Sequence, residues 1–327
     1  MSAPRIAVLE RNRAVLQRSA RIVSATAGLV PVAAGDDPEQ VRAQLAPDAQ
    51  LMLCDAVDAD LALEWSTRLY PGMKLAFWNA GEMPPLCTRI ARHAQIVSLL
   101  GWPSFQSMPR PWEIGLVTRN VLDPGRDPTH VAEVFANPPH TAKFRPRTSA
   151  DRDAVVAEIS TLAERAGAGA RLAARVGEVA HELIMNAMYD APADEYGRAR
   201  YAHDRTVDIT LDDADVPIVR FGTDGLMIGI QVTDPFGRLT RDHVAAGIAR
   251  GAAGASDDAS AQVVDTSGGG AGLGLWRIYT GSAVTIIDLL PGQQTSVLAY
   301  FDMDVAAREA RTMPPSLHLI ERPPLAG

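Results

Sequence analysis

Residues 172–192 read LAARVGEVAHELIMNAMYDAP. Val176, Val179, Leu183 and Ala187 recur at the helical interval and predict one buried face. Glu178, Glu182 and Asn186, each four apart, stack in a polar stripe beside that face. Such a stripe is commonly left to water. Two later segments change its meaning: VTDPFGRL at 232–239 and GGGAGLGLW at 268–276. Taken singly, Asp234 before Pro235 is a common turn pair, Gly237 a turn glycine and 268–272 a flexible loop. Their order along one domain-sized stretch is what points to a ligand site.

In that order and at those separations the three segments resemble the nucleotide-binding boxes of the GHKL ATPase superfamily, which includes gyrase-type ATPases, histidine kinases and anti-sigma factor serine kinases. Glu182 with Asn186 matches the N box and Asp234 with Gly237 the first glycine box. Gly270, Gly272, Leu273 and Gly274 match the second. A strand, a long helix and then the N-box helix is an order similar to the anti-sigma kinases. The resemblance implies ATP and Mg2+ as cofactors. Asn186 would offer Mg2+ a neutral carbonyl that leaves several waters in place. Glu182, one turn earlier, would take the proton of an attacking serine hydroxyl or water. Asp234 would accept from the exocyclic amine of adenine, Gly237 would let the backbone pass close to the base, and Thr295 would stand near it. Gly270, Gly272, Leu273 and Gly274, ahead of a helix, would turn amides toward the phosphates. Two features depart from the family. Met188, Tyr189 and Asp190 follow Asn186 where many members carry a basic residue. Asp265 and Thr266 stand where anti-sigma kinases tend to place a lid arginine, so Arg238, Arg250 or a partner would supply the charge. The lid at 251–270 is rich in Gly, Ala, Ser and Asp, a composition that favours mobility.

The remainder of the chain narrows the alternatives. With 327 residues, about two domains are expected. The net charge of -8 at pH 7 argues against a general nucleic-acid or anionic-membrane surface. No stretch approaches the roughly 20 apolar residues of a membrane span, and MSAPRIAVLERNR is too short in apolar run for a signal peptide, so a cytoplasmic protein is expected. Cys54 and Cys87 have no metal-ligand spacing. Lys74 and Lys143 are the only lysines; with none after the glycine run, a P-loop is excluded. Met185 stands where HExxH needs its second histidine.

Short apolar runs at 6–9, 29–32, 50–54, 74–78 and 96–100 alternate with helix signals, such as Asp37 before Pro38 and Glu39. Five βα units predict a doubly wound parallel sheet. Its size and order resemble a response-regulator receiver. Asp55 falls at the phosphoacceptor position, but Glu10 is followed by Arg11 and Asn12 instead of a second acid, Asn79 and Ala80 replace the hydroxyl, and 101–105 holds no lysine. Transfer to Asp55 lacks its electrostatic support, so a degenerate receiver serving as a docking or dimerisation module is expected, with Asp55 available as a turn cap.

The expected architecture is α/β: an N-terminal doubly wound parallel sheet (1–122), a proline-rich linker (123–140), a GHKL α/β sandwich with a mixed sheet (141–304) and a C-terminal tail (305–327). Within the sandwich, strands are expected near 206–211, 218–221, 226–233, 282–289 and 295–301. The arginines at 196–205 read either as a docking patch or a solvated connection, and SLHLIE in the tail as a sheet-edge addition, a partner contact or a frayed end. The functional expectation is a cytoplasmic signalling protein that binds Mg-ATP and phosphorylates a serine or threonine of a protein partner, with Glu182 as base. The alternative is a non-catalytic, nucleotide-gated interaction module. The partner is a regulator or phosphoacceptor protein, not nucleic acid or a membrane, and a homodimer would be ordinary for similar proteins.

Overall fold

The computed structural model describes residues 3–79, 81, 83–102, 109–137, 139–256, 271–305 and 313–323. Gly270, the lid from 257 onward, Ala80, Pro138, Pro324 and the stretch 103–105 lie outside the described residues. The chain is α/β and divides into two compact units, Met1–Arg126 with Thr312–His318 and Asp127–Arg311 with Leu319–Gly327.

In the first unit the strands β1 (Ile6–Leu9), β2 (Val32–Gly35), β3 (Leu51–Asp55), β4 (Lys74–Asn79) and β5 (Ile96–Gly101) run in the order β2-β1-β3-β4-β5, all parallel. They alternate with α1 (Arg13–Thr26), α2 (Pro38–Gln44), α3 (Ala59–Glu64), α4 (Pro84–Ile90) and α5 (Pro111–Leu122). Ile6, Val8, Leu53 and Trp78 cluster with Val23 of α1 and Ile114 and Val117 of α5. The alternate residues Ala7, Leu9, Met52, Cys54 and Phe77 are equally buried, so both sheet faces are covered. That is why these strands read as continuous apolar runs. β2 begins three residues later than its apolar run, because Gly28 and Leu29 both adopt positive φ to end α1. Asp37 caps α2 ahead of Pro38, as its sequence signal predicts.

The side chains around Asp55 are engaged elsewhere. Asp55 Oδ1 accepts from the Val57 amide at 2.9 Å and caps the turn after β3. Glu10 is buried, with Oε2 taken by Trp78 Nε1 at 2.8 Å and Oε1 by the Asn12 amide at 2.7 Å. Arg11 forms a two-pronged pair with Asp58. The SLHLIE segment is a strand, β11 (Ser316–Glu321), antiparallel to β5 through Leu317↔Leu99 and His318↔Ser98. His318 bridges Ser98 Oγ at 3.0 Å and Glu113 Oε2 at 2.9 Å. Burial opposes charge on Glu113, but Arg110, His318 and Ser316 outweigh it and hold its carboxyl below the usual range.

The second unit contains β6 (His140–Phe144), β7 (Ile218–Thr223), β8 (Met227–Asp234), β9 (Val284–Leu290) and β10 (Gln294–Asp302), in the order β9-β10-β8-β7-β6 with every neighbour antiparallel. Its helices are α6 (Ser149–Arg165), α7 (Ala170–Met185), α8 (Arg241–Ser256) and α9 (Ala271–Gly281). Thr148 and Asp151 form a reciprocal cap on α6. The strand expected at 206–211 is replaced by an isolated bridge, Thr148↔Thr210. The backbone there serves the start of α6 instead: the Ile209 amide donates to Ser149 Oγ and the Leu211 amide to Arg147 O.

Part of the segment expected as a linker packs on this sheet. The Thr129 amide donates to Asp288 Oδ2 at 3.0 Å, the Val131 amide to Gln231 Oε1 at 3.1 Å, and Tyr300 OH to Val131 O at 3.1 Å. Gly222 and Gly229, paired across β7 and β8, leave room for it. A Cβ on Gly222 would come within 2.8 Å of Phe135, and one on Gly229 within 2.7 Å of Val131. Arg322 pairs with Asp288 at 2.5 Å, both fully buried. The described end of the tail is therefore folded structure. No helix among the described residues is long and apolar enough to cross a membrane.

Removing one partner of a buried ion pair strands the other charge. Arg322→Ala is expected to lower stability by about 3–5 kcal/mol in urea titration, and Arg322→Met with Asp288→Asn, which keeps an acceptor for the Thr129 amide, to recover most of it.

Candidate functional site

α7 supplies the first half of the site. Val176, Val179, Leu183 and Ala187 are buried as their spacing predicts, while Glu178 is exposed and Glu182 and Asn186 lie at the margin. The helix does not stop at Met185: residues 186–190 continue as a π turn, closed by the Ala191 amide on Asn186 O at 3.0 Å. The extra residue in this turn brings Met188 and Tyr189 into the core. Tyr189 OH is then fixed by Ser149 Oγ at 3.0 Å and donates to Val207 O at 2.9 Å.

β8 and β10 supply the second half. Strand alternation puts Val232 and Asp234 on the same face as Thr295 and Val297, and Thr295 is directly opposite Asp234 in the register. These residues, with Asn186, Asp190, Arg238, His243 and Arg250 among others, line a cavity of about 310 Å³. That volume is within the range of small-molecule sites, and much of the lining is apolar with convergent polar groups.

Asp234 is 7% exposed, and its Oδ1 accepts from the amides of Phe236 at 2.9 Å and Gly237 at 3.2 Å. Burial pushes its carboxyl above the usual range; the two amides oppose this only in part, with smaller help from Thr295. The Thr295 hydroxyl approaches the carboxyl without a hydrogen bond of normal geometry. Its Oγ1 and Asn186 Oδ1 are both buried with no hydrogen-bond partner among the described residues. Such orphans cost about 1–3 kcal/mol each and are uncommon in native proteins.

Gly237 and Gly274 each pack closely against other parts of the protein. Gly237, at φ +58°, packs against the β9–β10 hairpin: a Cβ would fall 2.3 Å from Leu290 O and 2.6 Å from Gln293 N. Its close approach is to this backbone, and that requirement explains the glycine without a base nearby. Gly272, Leu273 and Gly274 do not precede a helix but lie within the first turns of α9. Leu273 is 53% exposed and is absent from the cavity lining. Gly274 faces α7, where a Cβ would sit 3.0 Å from Glu182 Oε2 and 3.4 Å from Asn186 Oδ1. Glu182, Asn186 and the start of α9 therefore meet at one place. Glu182 itself is paired with Arg277 Nη1 at 2.8 Å.

Of the two arginines that looked available for phosphate, Arg250 lines the cavity and Arg238 is committed. Arg238 reaches the carbonyls of Ala191 at 3.3 Å and Gly197 at 3.1 Å, closing the end of the π turn. Arg198, Arg200 and Arg205 each pair with an aspartate outside 196–205, Asp194, Asp215 and Asp190, so that loop is tied to the segments around it. Burial raises the Asp190 carboxyl, Arg205 counters, and Glu182 adds to the rise. Sequence reasoning missed Asp190, His243 and Arg277 as parts of the site. Asp190 had a local signal, four residues beyond Asn186; the other two did not. No group of three His, Cys, Asp or Glu able to hold a metal occurs among the described residues. No protein family matches the chain, and no curated protein matches it.

Because the folded-state pKa of Asp234 is raised, its stabilising contribution is full below the unfolded carboxyl range and is lost as pH rises through the folded value. Asp234→Asn keeps an acceptor for the Phe236 and Gly237 amides without the charge. It is expected to melt no lower than wild type at neutral pH, with any advantage shrinking on acidification, as read by thermal unfolding across pH.

Proposed function

We propose that the second unit is a GHKL-type domain that binds Mg-ATP, in a cytoplasmic signalling protein that phosphorylates a serine or threonine of a protein partner. The carrying observation is the pair of buried atoms without a partner among the described residues, Asn186 Oδ1 and Thr295 Oγ1, in one cavity with buried Asp234. A neutral amide oxygen at Asn186 suits Mg2+, which keeps several waters and takes its other ligands from phosphates. Mg-ATP would supply the transferable phosphoryl group. Asp234 would accept from the adenine amine while Val232 and Val297 exclude water, and the Thr295 hydroxyl would gain the partner it lacks. Glu182, one helical turn from Asn186, would receive the proton of the attacking hydroxyl. The first unit, with its 2-1-3-4-5 parallel order and committed Asp55 surroundings, supports a receiver-like docking or dimerisation role.

One observation favours the second reading, a nucleotide-gated interaction module without turnover: Glu182 is held in an ion pair with Arg277. Calorimetry with Mg-ATP tests the common part. Wild type is expected to bind, and Asp234→Asn and Asn186→Ala to weaken binding at least tenfold, as loss of a buried polar contact does. Glu182→Gln is expected to keep nucleotide while lowering phosphotransfer to a captured partner by about 10²–10⁴-fold. No binding by wild type in the presence of magnesium would sink both readings; binding without transfer would leave the second.

A further inference from the structure

The carboxylates around the cavity share a pattern. Asp234 is buried where charge is disfavoured, Asp190 is paired with Arg205, and Glu182 with Arg277. Neither arginine was part of the motif segments' assigned roles, and each reaches its acid from elsewhere in the chain. The Glu182 pair is the one open to solvent on its cationic side: the Arg277 side chain is 68% exposed and that of Glu182 17%. Gly274 adjoins both Glu182 Oε2 and Asn186 Oδ1, so the Glu182 charge stands beside the amide that faces the cavity. With Mg2+ held at Asn186, an uncompensated carboxylate there would still repel the net negative charge of a magnesium nucleotide, and more strongly the greater that charge.

Resting on the nucleotide reading above, we propose that Arg277 is a positioning residue which, by holding and neutralising Glu182, lets the α7–α9 edge of the cavity accept the phosphates of a triphosphate. Arg277 thereby sets the preference for nucleotides by their charge, acting through Glu182 and not by touching the ligand.

The test is calorimetry on the full chain with ATP, ADP and adenosine as probes, with magnesium, at low and high salt. Arg277→Ala is expected to weaken ATP by about fivefold to tenfold and ADP by less, the size expected of a partly exposed charge, and to leave adenosine unchanged. High salt should shrink the difference. Arg277→Lys is expected to retain most of the affinity, and Arg277→Ala combined with Glu182→Gln to return ATP to within about twofold of wild type, since the repelling charge is gone. Equal weakening of all three probes would mean a merely structural contact and would overturn the proposal. A double variant as weak as Arg277→Ala would also overturn it, because Arg277 would then act on the nucleotide directly. A wild type that binds none of the three overturns the nucleotide reading and this inference with it; a wild type that binds, with variants that break the pattern, overturns this inference alone.

Discussion

The site depends on how α7 lies against β8 and β10. Its buried face is built from small and branched residues, Ala173, Val176, Val179, Ala180 and Leu183, which set the rotation of the helix about its own axis. Once that face is buried, Glu182 and Asn186 have one place to go, the margin between the sheet and α9. The π turn then matters as much as the helix. By adding a residue to the last turn it buries Met188 and Tyr189, and the Tyr189 hydroxyl, tied to Ser149 and Val207, anchors the end of the helix. Asp190 is left at the cavity with Arg205 against it.

The two faces of the second sheet carry different sets of polar groups. Away from the cavity, Gln231 donates to Ser296 Oγ and Thr129 O and accepts from the Val131 amide, and Asp288 holds Thr129 and Arg322. The Gln231 amide and the Asp288 carboxyl are buried and partnered, while the Thr129 hydroxyl near them is buried without a partner among the described residues. On the cavity face, one residue along in the same strands, Thr295 Oγ1 has no partner among the described residues, nor has Asn186 Oδ1 in the same cavity. Period-two alternation thus puts the Gln231, Ser296 and Asp288 network on one face and Asp234 and Thr295 on the other. Asp234 sits on the second face at a cost in stability, a trade common where a site is built for binding and not for stability alone.

Much of the fold was legible because its signals are local. The five runs of the first unit needed only burial on both faces to be recognised, and β1, β4 and β5 begin where their runs do. The displaced start of β2 was hidden by Leu29, an apolar residue that adopts positive φ and is 81% exposed. The missing strand at 206–211 has β-forming residues, but its amides find better partners at the cap of α6. The proline-rich stretch before β6 carries breaker signals, yet Val131 and Phe135 find a notch made by two glycines far along the chain. No window of sequence contains both halves of that contact.

The sequence by itself determined the α/β class, the amphipathic face of α7, and the gathering of Glu182, Asn186, Asp234 and Thr295 into ordered segments, because helical and strand periodicity act over a few residues. Tertiary structure alone decided what those residues touch. It placed Gly237 against a hairpin, carried Gly274 into contact distance of Glu182 and Asn186, exposed Leu273, and gave Glu182 a partner 95 residues away in Arg277. Charge compensation and burial depend on distances in space, and those follow only once the helices and the sheet have packed.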